Sequence, residues 1–276
     1  MIDRNELIEM VTRQVLATLA GEHTDQGLEN ADQVVATGAA RIGYCGSGAD
    51  VPTGLAEYID HTLLRADASP TDIDRLCDEA AEYGFAAVCI NPAWVARASR
   101  RLRGAGVTVA SVVGFPLGAN TPEIKAMEAR RALRDGAREI DMVINIGALK
   151  GGENDLLRKD VAGVSDACRE VGAINKVIIE AALLSDEEKV VACRLAQQGR
   201  AHYVKTSTGF GPGGATVFDV ALMREVVGEK MGVKAAGGIH TAAEVREMIT
   251  AGATRIGASA GVRIVSGEEG ESGESY

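Results

Sequence analysis

"SPTDIDRLCDEAAEYGFAAVCI", residues 69–90, holds one helix and one strand in a single sentence of sequence. Pro70 stands where a helix tolerates proline, in its first turn, and Gly84 marks the stop. The run "AAVCI" that follows is short, apolar and closed by Asn91 and Pro92, as a buried strand is. "NTPEIKAMEARRALRDG", residues 120–136, repeats the grammar and leads into "EIDMVIN", residues 139–145.

The same two textures alternate from about residue 57 onward. Eight apolar or β-branched runs are bounded by Gly, Pro, Asn, Ser or Thr: "EYIDHTLL", "AAVCI", "TVASVVGF", "EIDMVIN", "KVIIEAAL", "AHYVKTS", "GVKAAG" and "TRIGASA". Helical stretches separate them. Alternation implies a parallel sheet, and eight units in roughly 200 residues suit a closed (β/α)8 barrel better than an open doubly wound sheet. The eighth helix is the weak one, because "GVRIVSGEEGESGESY" is too rich in Gly and Glu to be long. The reading is therefore an α/β chain: an amphipathic helix over 1–22, a linker over 23–56, a (β/α)8 barrel over 57–265 and a flexible tail over 266–276.

Composition excludes several function classes. A hydrophobic content of 46% over 276 residues is enough for one large core. A formal charge of -10 argues against nucleic acid or an anionic membrane as partner. No apolar run reaches membrane length and the N-terminus lacks a signal-peptide pattern, so a soluble cytoplasmic protein is expected. Cys45, Cys77, Cys89, Cys168 and Cys193 form no CxxC, and His23, His61, His202 and His240 form no HxH or HExxH. Neither disulfides nor a metal is expected.

In such a barrel the chemistry sits at the C-terminal ends of the strands. Period-two alternation puts Tyr203, Lys205 and Ser207 on one face, and Lys234 and Ala236 on one face of the next strand. Two inward lysines on neighbouring strands would repel in a partly desolvated space, and both effects lower a lysine pKa. A shift from about 10.4 to about 7 corresponds to roughly 4 to 5 kcal/mol. Asp141 falls mid-strand among apolar residues, where a solvated carboxylate is out of place. One lysine facing solvent and an aspartate that merely pairs a cation remain open readings of the single residues. Together the three describe an amine nucleophile, a second cation and an acid/base, which is Schiff-base chemistry. Cys89 points inward with Ala87, at the barrel mouth or simply as a small core residue. Glycine clusters "TGFGPGG" (208–214), "AGGIH" (236–240) and "IGASAGV" (256–262) follow the last three strands, where many barrels hold a phosphate on backbone N–H groups.

From Tyr58 to Val262 the chain resembles the deoxyribose-phosphate aldolase family, class I aldolases on a (β/α)8 barrel. The motifs that carry the resemblance are "YIDHTLL", "VCINPAWV", "VVGFPLG", "EIDMVINIGALKGG", "VKTSTGFGPGGAT", "VKAAGGI" and "GATRIGASAGV". It implies reversible cleavage of 2-deoxy-D-ribose 5-phosphate to acetaldehyde and D-glyceraldehyde 3-phosphate, without metal or organic cofactor. By the same motifs Lys205 is expected to be the Schiff-base lysine, Lys234 the second lysine and Asp141 the proton carrier. Asp60 and Thr62 would support the polar network, and Gly209, Gly237, Gly238, Gly257 and Ser259 would hold the phosphate. The competing expectations are another Schiff-base phosphosugar aldolase, or a silent sugar-phosphate-binding barrel. The expected assembly is a homo-oligomer, a dimer or higher.

Both ends extend beyond the resemblance. Leu7, Val11, Val15 and Leu19 recur every four residues between Asp3 and Gly21, giving one apolar stripe on a short helix. It either packs on a barrel or, through residues 3–20, contacts a bacterial microcompartment shell and places the protein in that lumen, where acetaldehyde would be confined. At the other end Tyr276, on a polar tether, either folds over the barrel mouth and offers a phenol to the enamine or belongs to a disordered end with no role.

Overall fold

The computed structural model describes residues 54–267. The expected N-terminal helix, most of the linker, the microcompartment segment 3–20 and Tyr276 lie outside the described residues. Eight strands, β1 (Ile59–Leu63), β2 (Ala87–Ile90), β3 (Thr108–Val113), β4 (Glu139–Val143), β5 (Ile174–Ile178), β6 (Tyr203–Lys205), β7 (Gly232–Ala236) and β8 (Arg255–Ala258), pair in sequence order. All pairs are parallel and β1 hydrogen-bonds both β2 and β8, so the barrel is closed.

Local chemistry explains the alternation. Helix α1 (Pro70–Tyr83) opens on a reciprocal Ser69/Asp72 capping box with Pro70 in the first turn, and ends at Gly84, whose φ of 68° is left-handed. Its buried residues Ile73, Leu76, Cys77 and Ala80 are spaced at three and four, so one stripe faces the barrel. Helices α2 (Val95–Arg101), α3 (Pro122–Asp135), α4 (Ile146–Lys150) and α5 (Asn154–Arg169) follow, then α6 (Asp186–Gln198), α7 (Val217–Val227), α8 (Ala242–Thr250) and α9 (Gly261–Ser266). The last has six residues, in keeping with its Gly-rich sequence. His61 points out of the barrel wall, where its Nε2 lies 2.7 Å from Glu79 Oε2 on α1.

The strand expected over residues 176–183 is shorter and lies earlier than its sequence implied. β5 stops at Ile178, Glu180 adopts a left-handed φ of 55°, and Ala181–Leu183 turn as a single 3-10 turn. No extended strand can continue through that backbone conformation. Nor is any helix among the described residues long and apolar enough to cross a membrane.

Apolar side chains collect in two places. The larger core fills the space between barrel and helices, and includes Ile59, Ile140, Val177, Val204, Val233 and Ile256. A smaller cluster of Leu64, Ala87, Cys89, Ala110 and Val112, with Phe115 against it, lines the inside of the barrel on the β1–β3 side. The opposite side of the barrel interior holds a cluster of charged side chains from β1 and β4–β8.

Candidate active site

That charged half is built from alternate residues of β1 and β4–β8. Asp141 pairs in register with Lys176, and Lys205 with Lys234, which in turn pairs with Arg255. Their side chains share one buried space. Asp141 Oδ2 accepts hydrogen bonds from Lys205 Nζ at 3.0 Å and Lys234 Nζ at 2.8 Å, and Oδ1 accepts from Lys176 Nζ at 2.8 Å. Lys234 also donates to Asp60, whose other oxygen accepts from Arg255 Nη1 at 2.7 Å. Glu139 closes the ring, 3.1 Å from Arg255 and 2.5 Å from Lys176. Lys205, at 2% relative exposure, and Lys234, at 0%, are both inside.

Sequence reading had brought Lys205, Lys234, Asp141 and Asp60 to this place, and missed Lys176, Glu139 and Arg255. Their signal was present. Glu139 and Asp141 are two apart on one strand, and Lys176 and Arg255 each interrupt a run of strand residues.

The seven groups comprise three carboxylates and four cations. Burial alone would push the Asp141 carboxyl up, but Lys176, Lys234 and Lys205 hold it well below the usual carboxylate range. Asp60 is likewise held down, to about 2, by Lys234, Lys176 and Arg255 against its burial. The simple expectation for two inward lysines was repulsion and a lowered pKa. For Lys234 the outcome is the reverse: burial favours the neutral amine, yet Asp141 and Asp60 outweigh it and raise its pKa well above that of a free lysine. A carboxylate stands between the lysines and holds both.

Thr62 is buried, but its hydroxyl donates to the carbonyl oxygen of Asp60 at 2.8 Å rather than to a charged group. It therefore supports the strand more directly than the network. Cys89 Sγ lies 4.0 Å from Asp141 Oδ2, and burial pushes its thiol up, so it is a neutral neighbour of the cluster. Ser207 is fully buried and its hydroxyl bonds none of the described residues.

The expected phosphate residues fall at two levels. Gly209, Gly237 and Gly238 have φ of 87°, 89° and 73° and lie in the loops above β6 and β7. Those loops touch, since Ala215 N–H donates to Gly237 O at 3.0 Å and a Cβ on Gly214 would stand 2.2 Å from that oxygen. Ser259 is exposed just beyond β8. Gly257 sits lower, within β8, where a Cβ would come 3.1 Å from Lys234 Cε. Its visible effect is to leave room for that lysine. No group of three or more His, Cys, Asp or Glu able to hold a metal ion occurs among the described residues.

Known proteins agree with this architecture. The chain is 59% identical over 217 residues to the deoxyribose-phosphate aldolase of Enterococcus faecalis, covering 79% of this chain and 98% of that one. It is 57% identical over 218 residues to the enzyme of the same name from Geobacillus sp., covering 79% and 97%. Among solved structures, the tetrameric deoxyribose phosphate aldolase of Aeropyrum pernix superposes with a TM-score of 0.74 at 32% identity, covering 84% of this chain and 95% of that one. The model of the DeoC/LacD family of aldolases matches residues 55–267, the whole barrel, and the chain belongs to that family.

Proposed function

We propose that this protein is a class I deoxyribose-phosphate aldolase in which Lys205 forms the Schiff base. The observation that carries the assignment is one carboxylate oxygen, Asp141 Oδ2, bonded to two lysine amines inside a barrel mouth. With four cations against three carboxylates the cluster carries one proton more than charge balance. Lys205 has one carboxylate contact, whereas Lys234 has two and Lys176 three within 4 Å. Lys205 is thus the amine least tied to carboxylates, and its neutral form is the nucleophile.

Its attack on carbon 1 of the open-chain sugar gives a carbinolamine, and loss of water gives an iminium. The carbon 3 hydroxyl then loses its proton, the bond between carbons 2 and 3 breaks, and its electron pair moves into the iminium to leave an enamine. D-Glyceraldehyde 3-phosphate departs. Protonation at carbon 2 and hydrolysis of the new iminium release acetaldehyde and restore Lys205. Asp141, ionised and touching both amines, offers a short proton route between Lys205, Lys234 and water. Gly209, Gly237, Gly238 and Ser259 form the rim that would receive the phosphate, a few carbons from the amine. The tetramer of the Aeropyrum pernix relative supports a homo-oligomer here too.

Incubation with 2-deoxyribose 5-phosphate should yield acetaldehyde, read by coupled NADH oxidation with alcohol dehydrogenase. The rate should be unchanged by EDTA and should fall at least about 10⁴-fold in Lys205→Ala. Borohydride trapping of dihydroxyacetone in preference to acetaldehyde would point to a different aldolase, and a wild-type protein that binds the sugar without turnover to a silent barrel.

A further inference from the structure

Glu180 stands out beside the site without belonging to the amine cluster. It is 2% exposed and is one of two described non-glycine residues with positive φ, at φ 55° and ψ 61°. A buried glutamate in left-handed backbone is costly twice, and such strain persists where the surroundings over-determine it. Here the surroundings are the loop after Lys205. Glu180 Oε2 accepts the Thr208 hydroxyl at 2.5 Å, and the carboxylate accepts the Thr208 N–H at 3.3 Å. Thr208 Oγ1 in turn accepts the Phe210 N–H at 3.0 Å. Gly211 passes so close that a Cβ there would lie 2.9 Å from the Glu180 carboxylate carbon. The neighbouring residue is pinned as well, Ala181 N–H donating to Thr206 O at 2.9 Å.

Glu180 thus holds the hydroxyl and N–H of Thr208, whose hydroxyl oxygen in turn holds the Phe210 N–H, at the start of the loop whose far end rests on Gly237. A carboxylate next to an anion site repels the anion, so a favourable contribution from this residue must come through geometry. We propose that Glu180 is the positioning residue of the phosphate cradle. It holds the Thr208–Gly214 loop in the one shape that turns its backbone N–H groups toward the substrate's phosphate, without touching the reacting carbons. The inference rests on the aldolase reading of the site.

The test compares 2-deoxyribose 5-phosphate with 2-deoxyribose in wild type, Glu180→Ala and Glu180→Gln. In Glu180→Ala the preference in kcat/KM for the phosphorylated sugar should drop about 10-fold or more, through KM, because a displaced cradle loses alignment. The value for 2-deoxyribose should stay within about threefold, since the amine cluster is untouched. Glu180→Gln, which keeps an accepting oxygen without the charge, should recover most of the preference. An unchanged preference, or equal loss on both sugars with a lowered melting temperature, overturns the proposal. Calorimetric titration with inorganic phosphate reads the cradle without turnover. Weaker binding to Glu180→Ala, by about 10-fold, supports the proposal, and equal binding contradicts it. A wild type that cleaves neither sugar would sink the aldolase reading alone, while the titration still decides Glu180.

Discussion

At the residue scale the site turns on one carboxylate oxygen shared by two amines. Lys234 carries a fixed charge because Asp141 and Asp60 hold it. Replacing Lys234 by Leu removes that charge and its hydrogen bond to Asp141 Oδ2, leaving Lys205 and Lys176 as the amines on Asp141. The expected result is turnover slowed by about 10-fold or more, with Schiff-base trapping at Lys205 retained. Turnover equal to wild type would remove Lys234 from the proton route. The residues that sequence reading missed belong to this scale. Lys205, Lys234 and Asp141 were legible because each breaks an apolar strand, Lys205 at the end of β6 and Asp141 and Lys234 in the middle of β4 and β7. Lys176, Glu139 and Arg255 lie on equally regular strands, but alternation alone does not say which charged residue closes an ion-pair ring on its neighbours. That follows from the register of five adjacent strands, which emerges only when the barrel closes.

At the scale of elements, Pro and Gly punctuation made the helices legible. Pro70 and Gly84 bracket α1, and Pro122 and Gly136 bracket α3 as the first and C-capping residues. Strand ends were less legible. β5 ends early because Glu180 leaves the extended region to serve the next loop, a tertiary demand with no local sign. The turn after β3 is another such case. Gly118 has a φ of 69°, and a Cβ there would fall 2.0 Å from the carbonyl oxygen of Ile144, just beyond the end of β4. That contact is backbone against backbone and cannot be relieved by a rotamer change. Gly118→Ala should therefore lower stability by about 3 kcal/mol in urea unfolding, combining left-handed strain with a displaced loop. A midpoint equal to wild type would show that the two loops are not held at this distance.

For the whole molecule, the charged interior couples folding to pH. The Asp60 carboxyl sits at about 2 in the folded barrel against 3.8 when free, because Lys234, Lys176 and Arg255 outweigh its burial. A depressed carboxyl stabilises the fold fully above its unfolded pKa, and that contribution disappears as pH falls from about 4 toward 2. The difference amounts to about 2 kcal/mol from this group. Thermal melts should thus fall steeply below about pH 4. Asp60→Asn should melt lower at neutral pH, with Lys234 and Arg255 left without their shared partner, and should show a shallower acid limb. Parallel acid limbs for the two proteins would assign the pH dependence elsewhere.

The closed barrel itself was legible from eight alternating units, because a chain of βα repeats has few ways to bury both faces of a parallel sheet. What the barrel does depends on which amine reacts. Treating the protein with acetaldehyde and sodium borohydride, followed by peptide mapping, measures that directly. The account predicts one N-ethyl-lysine, at Lys205, and its loss in Lys205→Ala. A stable adduct at Lys234 or Lys176, or full labelling of the variant, would contradict it.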